Sequence, residues 1–152
     1  MPDDPAPAYK LKMKQNAYIE MLTRRNIRPT ALRVLILRTM AQAGRALSMT
    51  DLENELETVD KSTVFRTLTL FLSHRLIHSI DDGGGAVKYA VCRNTCSCAV
   101  GDLHMHFSCV RCQRTFCLEH SEIPSVALPE GFTLQSVNCV LKGLCPACVS
   151  KK

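Results

Sequence analysis

Residues 62–91, STVFRTLTLFLSHRLIHSIDDGGGAVKYAV, decide how the first part of the chain folds. Val64, Leu68, Phe71 and Leu72 recur at helical spacing and predict one buried face. Ser62, Thr63, Phe65, Arg66 and Thr69 are left to point outward. The period then changes. LIHSI and AVKYAV read as two short strands around the reversal DDGGG, where glycines accommodate a tight turn. A helix followed directly by such a hairpin is the second half of a winged helix-turn-helix. Phe65 beside Arg66 at the front of the helix suits a major groove, where a ring meets thymine methyl groups and arginine reaches guanine or phosphate. Helical periodicity alone also allows Phe65 to pack inside.

The segments upstream complete the motif. Helices are expected over about residues 9–25 and 30–42, with Pro29 at the start of the second and Gly44 ending it. Ser48, with Asp51 three residues on, forms a capping-box pattern opening a third short helix, MTDLENELE, whose Leu52 and Leu56 share a face. Asp60 or Ser62 is available to cap the fourth. Between Lys10 and Arg38 stand eight basic residues and one acid, Glu20, within a formal net charge of +5 for the chain. That balance suits phosphates, and equally a pair of solvated helix faces.

At 152 residues and 46% apolar, the chain is long enough for one ordinary domain or two small ones. Its opening, MPDDPAPA, is acidic and proline-rich, so neither a signal peptide nor a targeting helix is expected. The apolar run ALRVLILRTMA is interrupted by Arg33 and Arg38 and is too short to span a bilayer. A cytoplasmic protein without a membrane partner is expected. Nine cysteines, an odd number, point to metal binding rather than to disulfides.

Composition changes near Cys92: eight of the nine cysteines follow residue 95, and short strand-like pieces appear, LHMHFSCV, RTFCL and FTLQSVNCVLK. The expected division is therefore 1–91, with 1–8 flexible, and 92–152. Cys109-x-x-Cys112 and Cys145-x-x-Cys148 are the most specific signal. Two such knuckles make a four-thiolate set suited to one structural zinc per chain, whereas thioredoxin-like redox chemistry needs only one pair at a helix start. In a strand over 103–108, His104 and His106 share a face, with Leu103 and Met105 on the other. Two imidazoles make half a metal site, or simply two surface histidines.

RPTALRVLIL, STVFRTL, HMHFSCVRC and GLCPAC, in this order over nearly the whole chain, resemble the ferric uptake regulator superfamily of bacterial metal-responsive transcription factors, and within it the zinc uptake branch. The resemblance implies an α+β chain: a winged helix-turn-helix domain, then a small α/β dimerisation domain with a four-cysteine zinc site. It implies a homodimer that represses transcription from a palindromic operator in double-stranded DNA. It further implies a regulatory metal, a second zinc or another divalent ion, held by His78, Cys92, His104 and His106 at the hinge between domains. Contacts to DNA would then come from Arg28, Thr30, Arg33, Ser62, Thr63, Phe65 and Arg66.

Departures from the family pattern carry information. Phe65 stands where a tyrosine is usual, keeping the ring and losing the hydroxyl. Cys117 stands where a carboxylate is usual and is a possible extra donor to the hinge metal. Ala46 replaces a histidine of iron-sensing relatives, and Leu103 and Met105 remove donors for a third metal. The alternative is an iron- or peroxide/redox-responsive regulator on the same scaffold, the redox form resting on Cys96, Cys98 and Cys117 as thiols that could gate metal release. A zinc hydrolase or deaminase is remote: His104 is followed by Met-His, no His-x-Glu accompanies the cysteine pairs, and no small-molecule substrate is implied.

Overall fold

The computed structural model describes residues 14–92, 104–135 and 137–151; Cys96, Cys98 and Leu103 lie outside them. In chain order the elements are α1 (Gln15–Arg24), α2 (Ala31–Ala43), β1 (Leu47–Ser48), α3 (Met49–Glu55), α4 (Lys61–Ser73), β2 (Ile77–Ile80), β3 (Lys88–Val91), β4 (His104–Cys109), β5 (Thr115–Glu122), β6 (Val140–Gly143) and α5 (Pro146–Val149).

Local chemistry sets the helix ends. The Thr30 hydroxyl accepts the Arg33 N–H at 3.3 Å, so Pro29 stands just before the cap and not inside the helix. Gly44, at φ 66°, ends α2 in the left-handed conformation that glycine adopts without a steric penalty. At α3 the capping box closes with aspartate: Ser48 Oγ accepts the Asp51 N–H at 3.1 Å, and Asp51 accepts the Ser48 N–H at 2.8 Å. Asp60, rather than Ser62, caps α4, accepting the Thr63 N–H at 3.2 Å and the Ser62 hydroxyl.

Helices α1–α4 enclose the main core. Val64, Leu68 and Phe71 point inward with Tyr18, Leu22, Ile36 and Leu37, and Leu72 packs against this cluster partly buried. Phe65 is 59% exposed, which removes it from the core. The wing is the antiparallel hairpin β2–β3, with Ile77 opposite Val91 and Ile80 opposite Lys88. Strand β1 adds an edge to it, Leu47 opposite Tyr89; two residues carry too little periodicity to be read as a strand beforehand.

The second sheet has the order β5-β4-β6, with β5 antiparallel and β6 parallel to β4. Among the described residues of the strand-like stretch FTLQSVNCVLK, only Val140–Lys142 joins it. The β4 ladder offers partners only from His106 to Cys109, which pair with residues 140–143. The two lobes meet along a seam: the Ala46 N–H donates to the Thr115 carbonyl at 2.8 Å, and Ala46, Ile80 and Ala90 pack with Cys117 and Val140. No helix among the described residues is long and apolar enough to cross a membrane.

Candidate metal centre

Among the described residues, two clusters of metal-capable side chains form. In the first, the sulfurs of Cys109, Cys112, Cys145 and Cys148 lie within 4.8 Å of one another. Cys109 and Cys112 flank the turn after β4, while Cys145 precedes α5 and Cys148 lies within it. Cys112 Sγ and Cys145 Sγ are 3.7 Å apart, close to the edge of about 3.8 Å of a tetrahedron with 2.3 Å metal–sulfur bonds. Backbone N–H groups of Cys112, Cys145 and Arg111 stabilise charge on Cys109 and hold its pKa at about 6, while burial and the neighbouring sulfurs push Cys148 up to about 12. Without a metal, Cys109 thus ionises readily while Cys148 keeps its proton. A dication lets all four ionise, and the set fits a structural zinc site.

The second cluster brings His78 from β2 together with His104 and His106 from β4 and Cys117 from β5, again with donor atoms within 4.8 Å of one another. His78 Nε2 is 3.1 Å from His106 Nε2 and 3.7 Å from Cys117 Sγ. Tetrahedral zinc bonded at 2.0–2.3 Å has nitrogen–nitrogen and nitrogen–sulfur edges of about 3.3 and about 3.6 Å. Cys92 Sγ lies elsewhere, 3.3 Å from Nδ1 on the opposite side of the His78 ring. One imidazole cannot turn both nitrogens toward one ion, so the structure gathers three imidazoles with Cys117 and sets Cys92 behind His78.

Burial lowers the His78 pKa to about 3 and that of His106 to about 4, with the neighbouring imidazoles contributing. Both rings are therefore neutral at pH 7 and offer lone pairs to a metal. His106 Nδ1 is buried without a hydrogen-bond partner among the described residues, while its backbone N–H donates to the Cys139 carbonyl at 2.9 Å.

Seven residues were expected at DNA. Phe65, Arg66, Ser62, Arg28 and Thr30 are exposed, and Thr63 and Arg33 partly so. Arg66 Nη2 donates to Thr63 Oγ1 at 3.4 Å, and Arg33 Nη1 to the Arg28 carbonyl at 2.7 Å. The bonds from Ser62 and Thr63 keep the exposed Asp60 carboxyl below the usual carboxylate range, so the N-terminus of α4 already carries its own anion.

One feature of the seam went unread in the sequence. Lys88 and Asp82, both buried, form an ion pair at 2.6 Å. Burial raises the Asp82 pKa, yet bonds from Lys88, Thr115 and the Gly84 N–H outweigh it and hold the carboxyl at about 2. The Gly84 N–H reaches Asp82 Oδ1 at 2.9 Å, where an added Cβ would itself stand 2.9 Å from that oxygen. The available signal was a lysine two residues before Ala90, on the inward face of an otherwise apolar strand.

A winged helix beside a four-cysteine lobe, with a histidine–thiol cluster across their seam, has the form of a metal-dependent DNA-binding protein. Residues 24–140 match the model of the ferric uptake regulator family, and the chain belongs to that family. Its members are metal-responsive transcription regulators and not enzymes. No curated protein matches the chain in sequence. Among solved structures, the fold is similar to holo XcZur (21% identity, TM-score 0.63, 90% of this chain and 96% of that one). It is likewise similar to a zinc uptake regulator complexed with zinc and DNA (21%, 0.62, 91% and 97%). The ferric uptake regulator of Vibrio cholerae is a third (16%, 0.57, 84% and 98%).

Proposed function

We propose that this chain is a zinc-responsive transcriptional repressor, acting in the cytoplasm as a homodimer on a palindromic operator. The observation that carries this reading is the cluster across the seam: His78 belongs to the wing, while His104, His106 and Cys117 belong to the second lobe. Three imidazoles and a thiolate form a borderline-soft tetrahedral set that suits zinc better than the harder divalent ions. Zinc bound there supplies a crosslink between the lobes. His78 then fixes the angle at which the docked wing lies on β4 and β5, and the two recognition helices of a dimer come to the spacing of two half-sites. Residues up to 91 serve DNA binding, and those from 92 on serve metal binding and dimerisation. Large exposed apolar side chains gather in the second lobe, among them Val110, Val126, Phe132 and Val149, which favours self-association there.

On DNA, Phe65 and Arg66 approach base edges, while Arg28, Thr30, Arg33, Ser62 and Thr63 hold the backbone. Arg33 and Ser62 exchange their internal partners, the Arg28 carbonyl and Asp60, for phosphate oxygens.

Cobalt tests the site. With the four-cysteine cluster kept loaded with zinc, Co²⁺ in the second site is expected to show a sulfur-to-cobalt charge-transfer band. Cys117→Ser should abolish the band. Cys92→Ser should keep it and weaken binding by about 10-fold, as loss of an outer partner that orients a ligand histidine does. A band that survives Cys117→Ser and disappears in Cys92→Ser would place the sulfur donor at Cys92.

A further inference from the structure

The wing hairpin presents one face to the second lobe. His78 pairs across it with Ala90, and Ile80 with Lys88. The facing strands present His106 opposite Cys117 and Ser108 opposite Thr115. The seam therefore consists of two rungs, offset by two residues, or about 6.6 Å, along each strand. The first is the histidine–thiol cluster. The second is polar and needs no metal: Asp82 accepts from Lys88 Nζ at 2.6 Å, from Thr115 Oγ1 and from Ser108 Oγ at 3.4 Å. Lys88 Nζ also donates to Thr115 Oγ1 at 3.0 Å and to the Gln113 carbonyl. Ile80, Ala90 and Ala46 form an apolar layer at the seam, packed with Cys117 and Val140.

Asp82 and Lys88 come from the wing; Ser108, Gln113 and Thr115 come from the metal-binding lobe. Every bond from the pair to these three residues is lost if the lobes part. Separation leaves the pair to resolvate, whereas docking satisfies its remaining hydrogen-bonding capacity.

We propose that Asp82, Lys88 and Thr115 form a metal-independent clamp that docks the wing on the second lobe and so holds His78 in place for His104, His106 and Cys117. These are positioning residues, since none of them is a donor to the metal. The proposal rests on the reading of the second cluster as a metal site. A clamp that keeps the lobes docked most of the time before zinc arrives raises zinc affinity, because apparent affinity scales with the competent fraction.

The test compares wild type with the double variant Asp82→Asn/Lys88→Met, which removes both charges together, and with the milder Thr115→Val. Zinc affinity at the removable site is measured by chelator competition. Hydrogen exchange of the Ala46 amide, which donates across the seam to Thr115, is followed without zinc in that site. If the docked fraction falls to about a tenth, zinc binding weakens about 10-fold and Ala46 protection falls, while the cobalt spectrum stays that of wild type because no ligand has changed. If either zinc affinity or Ala46 protection stays at the wild-type value, the clamp is overturned. Should the double variant also lose its tightly held zinc, and with it the folded lobe, Thr115→Val decides by the same two readouts. If wild type itself takes up no removable zinc, the metal-site reading fails, and the Ala46 amide alone decides whether the clamp docks the wing.

Discussion

A Cys109→Ser chain is expected to lose its tightly held zinc, unfold the lobe built on β4–β6, and lose DNA binding even at saturating zinc. The α1–α4 lobe has a large aliphatic and aromatic core, whereas the cluster around the second lobe's metal knuckles consists of Cys109, Cys145 and Cys148 with Phe107, Cys112 and Phe116 packed against it. A lobe so poor in apolar packing depends on its metal. Structural zinc in small metal-dependent folds contributes about 10–16 kcal/mol to folding, as much as the 5–15 kcal/mol that typically stabilises a whole domain. Serine keeps the shape of the side chain and removes the soft thiolate. Cys109 is also the sulfur whose negative charge three backbone N–H groups stabilise, and a serine hydroxyl, which does not ionise, leaves that stabilisation unused. Zinc content, thermal unfolding and gel filtration of the variant check this. A folded dimer with undiminished DNA affinity would contradict it.

His104→Ala is expected to act differently. His104 lies at the start of β4 and is only partly buried, so the strand and the four-cysteine cluster should survive its removal. The tightly held zinc and the dimer remain, while the second zinc and the zinc dependence of DNA binding are lost. If zinc tightens DNA binding by about 100-fold, the coupling amounts to about 2.7 kcal/mol, and the same amount must appear as tighter zinc binding on DNA. Titration of labelled operator DNA with and without added zinc measures it for wild type and variant. Undiminished zinc-dependent binding in the variant would remove His104 from the sensor.

Much of this architecture is legible in the sequence. Gly44 and the Ser48–Asp51 box mark helix ends because capping is a local matter of a few hydrogen bonds. The α4 spacing separated Val64, Leu68 and Phe71 from Phe65 correctly, since one helix face is enough to define a core side. The paired Cys-x-x-Cys motifs announced their own cluster. Long-range placement was harder to read. Nothing local shows that Cys117 approaches Nε2 of His78 while Cys92 approaches Nδ1; that follows from how β5 and the wing hairpin meet across the seam. The partners of Lys88 are similarly remote, with Thr115 lying 27 residues away. The long stretch before Val140 reads as a strand by composition alone, yet a strand requires a neighbour, and among the described residues β4 pairs with it only from His106 onward.

One seam site, separate from the four-cysteine cluster, is expected to take up zinc reversibly and thereby to control DNA binding. The most direct test is elemental analysis of the purified protein before and after mild chelation, with operator affinity measured on the same two samples. Two zinc ions per chain are expected, one that resists chelation and one that leaves, with DNA affinity falling by about 100-fold as the second departs and returning when zinc is restored. A single resistant zinc per chain, or an operator affinity indifferent to the removable one, would contradict it.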